Sequence, residues 1–172
     1  MITFIKIMCF AILTLSICCS TSKSTDEIKT RIHCSKDDKN AFDLCSLKLL
    51  LDPGGLWSYK NYLILEQYRH RFDETDKTEY HLILEFNLNN FAYYETAIFV
   101  IDGRSYTLTA NRVTHEEAFG LKEILYFDID KEMIKVLANG LRISLLMIGK
   151  VNSSYSVRAE DIPALQDFYD RL

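Results

Sequence analysis

Thr96-Ala97-Ile98-Phe99-Val100-Ile101-Asp102-Gly103-Arg104-Ser105-Tyr106-Thr107-Leu108-Thr109-Ala110 is the stretch that decides the fold class. Two runs of β-branched and aromatic residues flank Asp102-Gly103. A two-residue hairpin turn needs positive φ at both central positions, which Asp and Gly tolerate, so the segment reads as an antiparallel hairpin. Upstream, Tyr80–Leu88 alternates strictly. Tyr80, Leu82, Leu84, Phe86 and Leu88 face one way, and His81, Ile83, Glu85 and Asn87 face the other. That period of two marks a half-buried strand.

Working outward, Lys48–Leu51 is an apolar run stopped by the turn signal Asp52-Pro53-Gly54-Gly55. Trp57–Phe72 reads as a long or bent strand, followed by the charged turn Asp73–Lys77. Asn111–Gly120 is expected to be a loop, and Leu121–Ile129 a strand. Asp130 then caps a helix over Lys131–Asn139, with Met133, Ile134, Leu137 and Ala138 on one face and Gly140 as the stop. Leu141–Ile148 and Tyr155–Val157 are β-rich and joined by the turn Asn152-Ser153-Ser154. A last helix over about Ile162–Leu172 has Asp161 as cap, Pro163 in its first turn and Ile162, Leu165, Phe168 and Leu172 as its buried stripe. Short turns between neighbouring strands favour antiparallel pairing. The expectation is a mainly β (α+β) domain. It is an antiparallel sandwich or curled sheet of six to eight strands, with two short helices near the C-terminus.

Before this domain stands a segment of a different kind. Lys6 is followed by the uncharged run Ile7–Ile17, then Cys18-Cys19-Ser20 and a polar stretch through Glu27. A basic start, a short apolar core and small residues form an export signal, and the apolar run is shorter than the roughly 20 residues a membrane span needs. Leu15-Ser16-Ile17-Cys18 resembles the lipobox of bacterial lipoproteins, departing from it at Ile17, where a small residue is usual. Cys18 is the expected lipidation site, with Cys19 as the fallback; the alternative is an ordinary signal cut near Ser20 or Ser22 with no lipid. The expected organisation is a signal over 1–19, a polar tether over 20–32 and one β-rich domain over 33–172. The location that follows is the periplasm or cell surface.

The 172 residues are 48% hydrophobic and 26% charged, a globular composition, and the formal charge is -4. Lys6 is the only charged residue of the signal, so its removal leaves about -5, which argues against a nucleic-acid partner. Of the five cysteines, only Cys34 and Cys45 fall in the folded part. In an exported chain this pair reads as a disulfide closing a loop over Ser35–Leu44, worth about 3 kcal/mol by the chain-entropy argument. A metal site using His33, Cys34 and Cys45 lacks the paired spacing of zinc sites.

Taken in order, Phe99–Leu108, Leu125-Tyr126-Phe127-Asp128-Ile129, Ala138-Asn139-Gly140, Arg142–Gly149 and Leu165–Tyr169 resemble small exported bacterial proteins of unknown function. Those have an Asp-Gly hairpin, a strand–helix–strand unit and a terminal helix. The resemblance spans about Tyr80–Leu172. It implies a class without an enzyme motif and carries over no site residues.

The residues themselves show no hydrolase elbow and no phosphate loop. His115-Glu116-Glu117 lacks the second histidine of a zinc-protease motif, because position 119 is Phe. His70 lies between Tyr68 and Phe72 at a strand end, and His81 shares a face with Glu85. Asp128 and Asp130 are too few oxygens for a calcium loop. Trp57, Tyr93 and Tyr94 are the candidate contact surface, because exposed aromatics anchor protein partners or stack on sugars. The leading expectation is a non-catalytic, lipid-anchored envelope protein. It would touch the membrane through its lipid and bind a protein or glycan ligand, with no nucleic acid and no cofactor. The alternative is an envelope hydrolase or metal-dependent enzyme using His70, His115 and Glu116 or Glu117. A third reading is a eukaryotic secreted domain glycosylated at Asn152.

Overall fold

A computed structural model of the chain describes residues 31–37, 42–53, 60–71, 77–117 and 120–172. Cys18, Cys19, Trp57 and the expected signal lie outside them. The strands are β1 (Ile32–Asp37), β2 (Phe42–Asp52), β3 (Asn61–His70), β4 (Thr78–Leu88), β5 (Thr96–Ile101), β6 (Arg104–Thr109), β7 (Arg112–Glu116) and β8 (Leu121–Ile129). Helix α1 (Lys131–Asn139) follows, then β9 (Ile143–Ile148), β10 (Ser153–Val157), a 3-10 turn (Ala159–Asp161) and α2 (Ile162–Asp170). All ten described strands join one antiparallel sheet, in the order β6-β5-β9-β10-β2-β3-β4-β8-β7. On the edge of β2 not used by β3, β1 pairs with Phe42–Leu47 and β10 pairs with Leu51 and Asp52. The strands above the expected six to eight are β1 and β7, whose sequences lack clean alternation.

The sheet must curl. At about 4.8 Å per strand, a flat array in this order would set β6 and β7 about 38 Å apart. Yet only Ala110 and Asn111 connect them, and three peptide units reach at most about 11 Å. The two-residue link is stitched to both sides of the opening. Ala110 N–H donates to the Glu95 carbonyl at 2.9 Å, and Asn111 N–H donates to the Tyr126 carbonyl at 2.8 Å. The edges meet at this corner without a ladder between them, so the sheet is not closed.

The inner face is the core. Leu47, Leu49, Leu63, Leu65, Leu82, Leu84, Phe99 and Leu125 have no solvent exposure, and the helices lay Ile134, Leu137, Leu165 and Phe168 against them. The Asp130 side chain accepts from Met133 N–H at 2.7 Å, capping α1. Asp102 and Gly103 both take positive φ, 49° and 84°, as the hairpin turn requires. The Asp102 carboxylate also accepts from Leu141 and Arg142 N–H, tying the hairpin tip to the segment after α1.

Two expectations are corrected here. Asp161 does not cap α2: it makes no capping bond and is buried in an ion pair with Arg31. Pro163 needs no N–H in the first turn, so α2 starts without that cap. The folded part also begins before residue 33, because Ile32 joins the core and Arg31 supplies the buried pair.

Cys34 and Cys45 form a disulfide across the paired strands β1 and β2, with Cα atoms 4.1 Å apart. It binds the outlying strand to the body of the sheet. Replacing both cysteines by serine is expected to lower unfolding stability by about 3 kcal/mol, read from urea unfolding of both proteins. An unchanged midpoint would mean that strand pairing alone holds β1.

Candidate functional site

Tyr93 and Tyr94 are neighbours in sequence but face opposite environments. Tyr93 is 49% exposed and holds φ at 50°, whereas Tyr94 is 1% exposed. The Tyr94 ring packs edge-on against Phe86 at 5.1 Å, and its hydroxyl lies 3.3 Å from that of Tyr155. Burial, and then the hydrogen bond to Tyr94, raise the Tyr155 phenol above its ordinary range, so the Tyr155 hydroxyl stays neutral. A bulky side chain at positive φ is strained and persists only where its surroundings hold it.

The holding group is Glu123. Its side chain is fully buried, and its carboxylate accepts hydrogen bonds from three consecutive backbone N–H groups. Ala92 N–H and Tyr93 N–H donate to Oε2 at 3.1 and 3.0 Å, and Tyr94 N–H donates to Oε1. Consecutive N–H groups turned inward form an anion-binding nest, here filled from within the chain. A buried carboxylate is tolerable only with such partners. Gly149 lets the loop come close, because a Cβ there would stand 2.5 Å from the Tyr93 carbonyl and 2.7 Å from that of Ala92. Lys150 N–H completes the seam by donating to the Ala92 carbonyl at 2.8 Å.

Around this loop lies an aromatic cluster. The His115 ring packs edge-on against Phe91 at 4.8 Å and at a tilt against Tyr93 at 5.3 Å. Its Nε2 lies 3.9 Å from Glu123 Oε2. Lys150 Nζ lies 5.9 Å from the centre of the Tyr93 ring. A shallow cleft of about 380 Å³ opens between Tyr93, Glu95, Thr96, Ile148, Gly149 and Lys150. The arrangement offers an apolar ring face with one cation and one carboxylate at its rim.

His115 is therefore not in a loop, as expected, but on β7 directly opposite Glu123. Glu116 points to the other face and pairs with Lys122 at 3.7 Å, and Glu117 is exposed. The register also separates His70 from His115. Through Glu123 and Phe86, His115 lies level with Asn61, nine residues from His70 on β3, or about 30 Å. The two histidines also occupy opposite faces of the sheet. They cannot meet on one ion at ligand distances near 2 Å, so the site joining His70, His115 and Glu116 or Glu117 is excluded. Cys34 and Cys45 are spent on the disulfide, which removes them from a site with His33. The group that sequence reasoning missed is Glu123, whose only outward sign is an acid at an inward position of an otherwise apolar strand.

Compared with known proteins, the chain matches no family model, no curated protein and no solved structure.

Glu123→Ala is expected to cost about 3–5 kcal/mol, because three inward N–H groups lose their acceptor. Amide exchange at Ala92, Tyr93 and Tyr94 should accelerate with it. Gly149→Ala should also destabilise the fold and release the same three amides. Native exchange rates there in either variant would show that the loop is held by something else.

Proposed function

We propose that this chain is a non-catalytic, exported binding domain, held at the cell envelope by lipid on Cys18, or on Cys19 if cleavage falls one residue later. The observation that carries the binding reading is Tyr93. An aromatic ring half exposed to solvent, on a strained backbone fastened by a buried carboxylate, is a pre-organised contact. Rigid aromatic anchors in such settings dominate binding energy. The ring face with Lys150 and Glu95 at its rim suits a ligand with an apolar face and polar edges, such as a sugar ring or a protein side-chain cluster.

The disulfide supports an oxidising, exported compartment. Among the described residues no helix is long and apolar enough to cross a membrane. Attachment in this reading comes from the lipid, which needs two or more chains for a stable hold.

Two measurements test the reading. Intact mass of the protein extracted from membranes should show an N-terminal diacyl- or triacyl-cysteine; an unmodified mature chain confined to the soluble fraction would refute the anchor. Binding to purified envelope polysaccharides and envelope protein fractions should fall at least tenfold in Tyr93→Ala, with the unfolding midpoint unchanged. Equal binding by the variant would move the contact away from this loop.

A further inference from the structure

The outer face of the sheet changes character between its two halves. On β5, β6, β9 and β10 the inward positions, such as Phe99 and Leu145, are buried. The outward positions alternate with them and line up in rows across the strands. The middle row reads Thr107, Ile98, Leu146, Ser154. The outward residues of these strands in the rows on either side are Ser, Thr, Val and Ile. None of these outward residues is charged, in a chain of which 26% is charged. The other half of the sheet turns Lys48, Glu85, Arg112 and Lys122 to the outside. The uncharged face ends on β6, a strand at the end of the order. Open edge strands are usually kept apart by charges, prolines or bulges. The edge strand β7 carries Arg112, His115 and Glu116, whereas Ser105–Thr109 of β6 holds no charge and no proline.

A face of hydroxyls and aliphatic side chains offers no counter-charge to an ion of either sign, so its partner is neutral where the two touch. Hydroxyls both donate and accept hydrogen bonds, so such a face is complementary to itself. Each end of it is rimmed by one acid and one base, Glu95 and Lys150 at one end and Asp102 and Arg142 at the other. With the strands of two copies antiparallel, each rim meets a rim with both signs of charge. We propose that this face packs on the same face of a second copy, about a two-fold axis along the middle row, as two sheets of a sandwich do. Leu146, 38% exposed in that row, then meets Leu146 of the second copy. Strands about 4.8 Å apart and five residues of about 3.3 Å each make a plane of roughly 300 Å² over β5, β6, β9 and β10. A stable pair buries about 800 Å² on each partner, so this dimer is weak and reversible.

The test is sedimentation of the full, disulfide-bonded chain from about 10 μM to 1 mM, where reversible exchange between monomer and dimer is expected. Leu146→Glu and Leu146→Lys each bring like charges together at the axis and should weaken association at least tenfold. Mixing the two variants should restore it, because opposite charges then meet. Dichroism and an unchanged unfolding midpoint check that both variants are folded. A parent protein that stays monomeric over the whole range overturns the proposal. So does Leu146→Glu associating as tightly as the parent, which would place the contact elsewhere, for instance in the apolar run Ile7–Ile17. A mixture of the two variants that fails to associate overturns the two-fold arrangement. A monomeric parent that takes up an uncharged polysaccharide, with uptake lost in Leu146→Glu, would assign the face to a glycan and overturn the dimer.

Discussion

The buried carboxylate of Glu123 bridges the seam of the sheet. On one side of it lies β8, near one end of the strand order; on the other lies the segment leading into β5, near the opposite end. Three backbone N–H groups converge on its two oxygens. Without a ladder between β6 and β7, the opening is held by this carboxylate, by the stitched link Ala110-Asn111 and by the contacts of Gly149 and Lys150 with Ala92. The position of Tyr93 follows from that arrangement. The same bonds that close the seam force the backbone through positive φ, turning Tyr94 into the core and Tyr93 out to solvent. Closure and presentation are one structural event.

The curled sheet treats its two faces differently. The inner face is filled by leucines and phenylalanines and sealed by two short amphipathic helices. The outer face of β2, β3, β4 and β8 is half-buried although it has aliphatic and aromatic residues, because long charged side chains lie over them. Lys48 Nζ sits 3.8 Å over the Tyr62 ring, and the Arg112 guanidinium sits 3.8 Å over Tyr126. Lys48 and Lys122 both reach Glu85 at 3.6 Å. Such side chains shield apolar surface with their stems while their heads stay in water. The histidines of β3 and β4 stand on this polar-covered face, so the sheet itself separates them from the Tyr93 loop.

Much of the fold was legible where local chemistry and burial agree. Tyr80–Leu88 alternates because one side meets the core, and Asp102-Gly103 turns because only such residues accept two positive φ values. Asp130 caps α1 because its side chain reaches a free N–H three residues on. The same logic failed for Asp161. It precedes a helix and looks like a cap, but a partner 130 residues away, Arg31, takes its carboxylate. It failed again for β7, whose Arg112-Val113-Thr114-His115-Glu116 looks like a polar loop, because an edge strand needs only one paired side and little apolar surface.

By itself the sequence determined the β-rich class, the antiparallel hairpins, the two C-terminal helices and the pairing of Cys34 with Cys45. Each depends on spacing within a few residues, or, for the cysteines, on there being no other pair in the folded part. Tertiary structure alone decided that the sheet curls until its ends meet, that Tyr93 and Tyr94 part company, and that His70 and His115 lie on opposite faces of the sheet. Those outcomes depend on strand order and register, which bring together residues tens of positions apart. No local pattern encodes that a carboxylate on β8 will collect the N–H groups of a loop 30 residues before it.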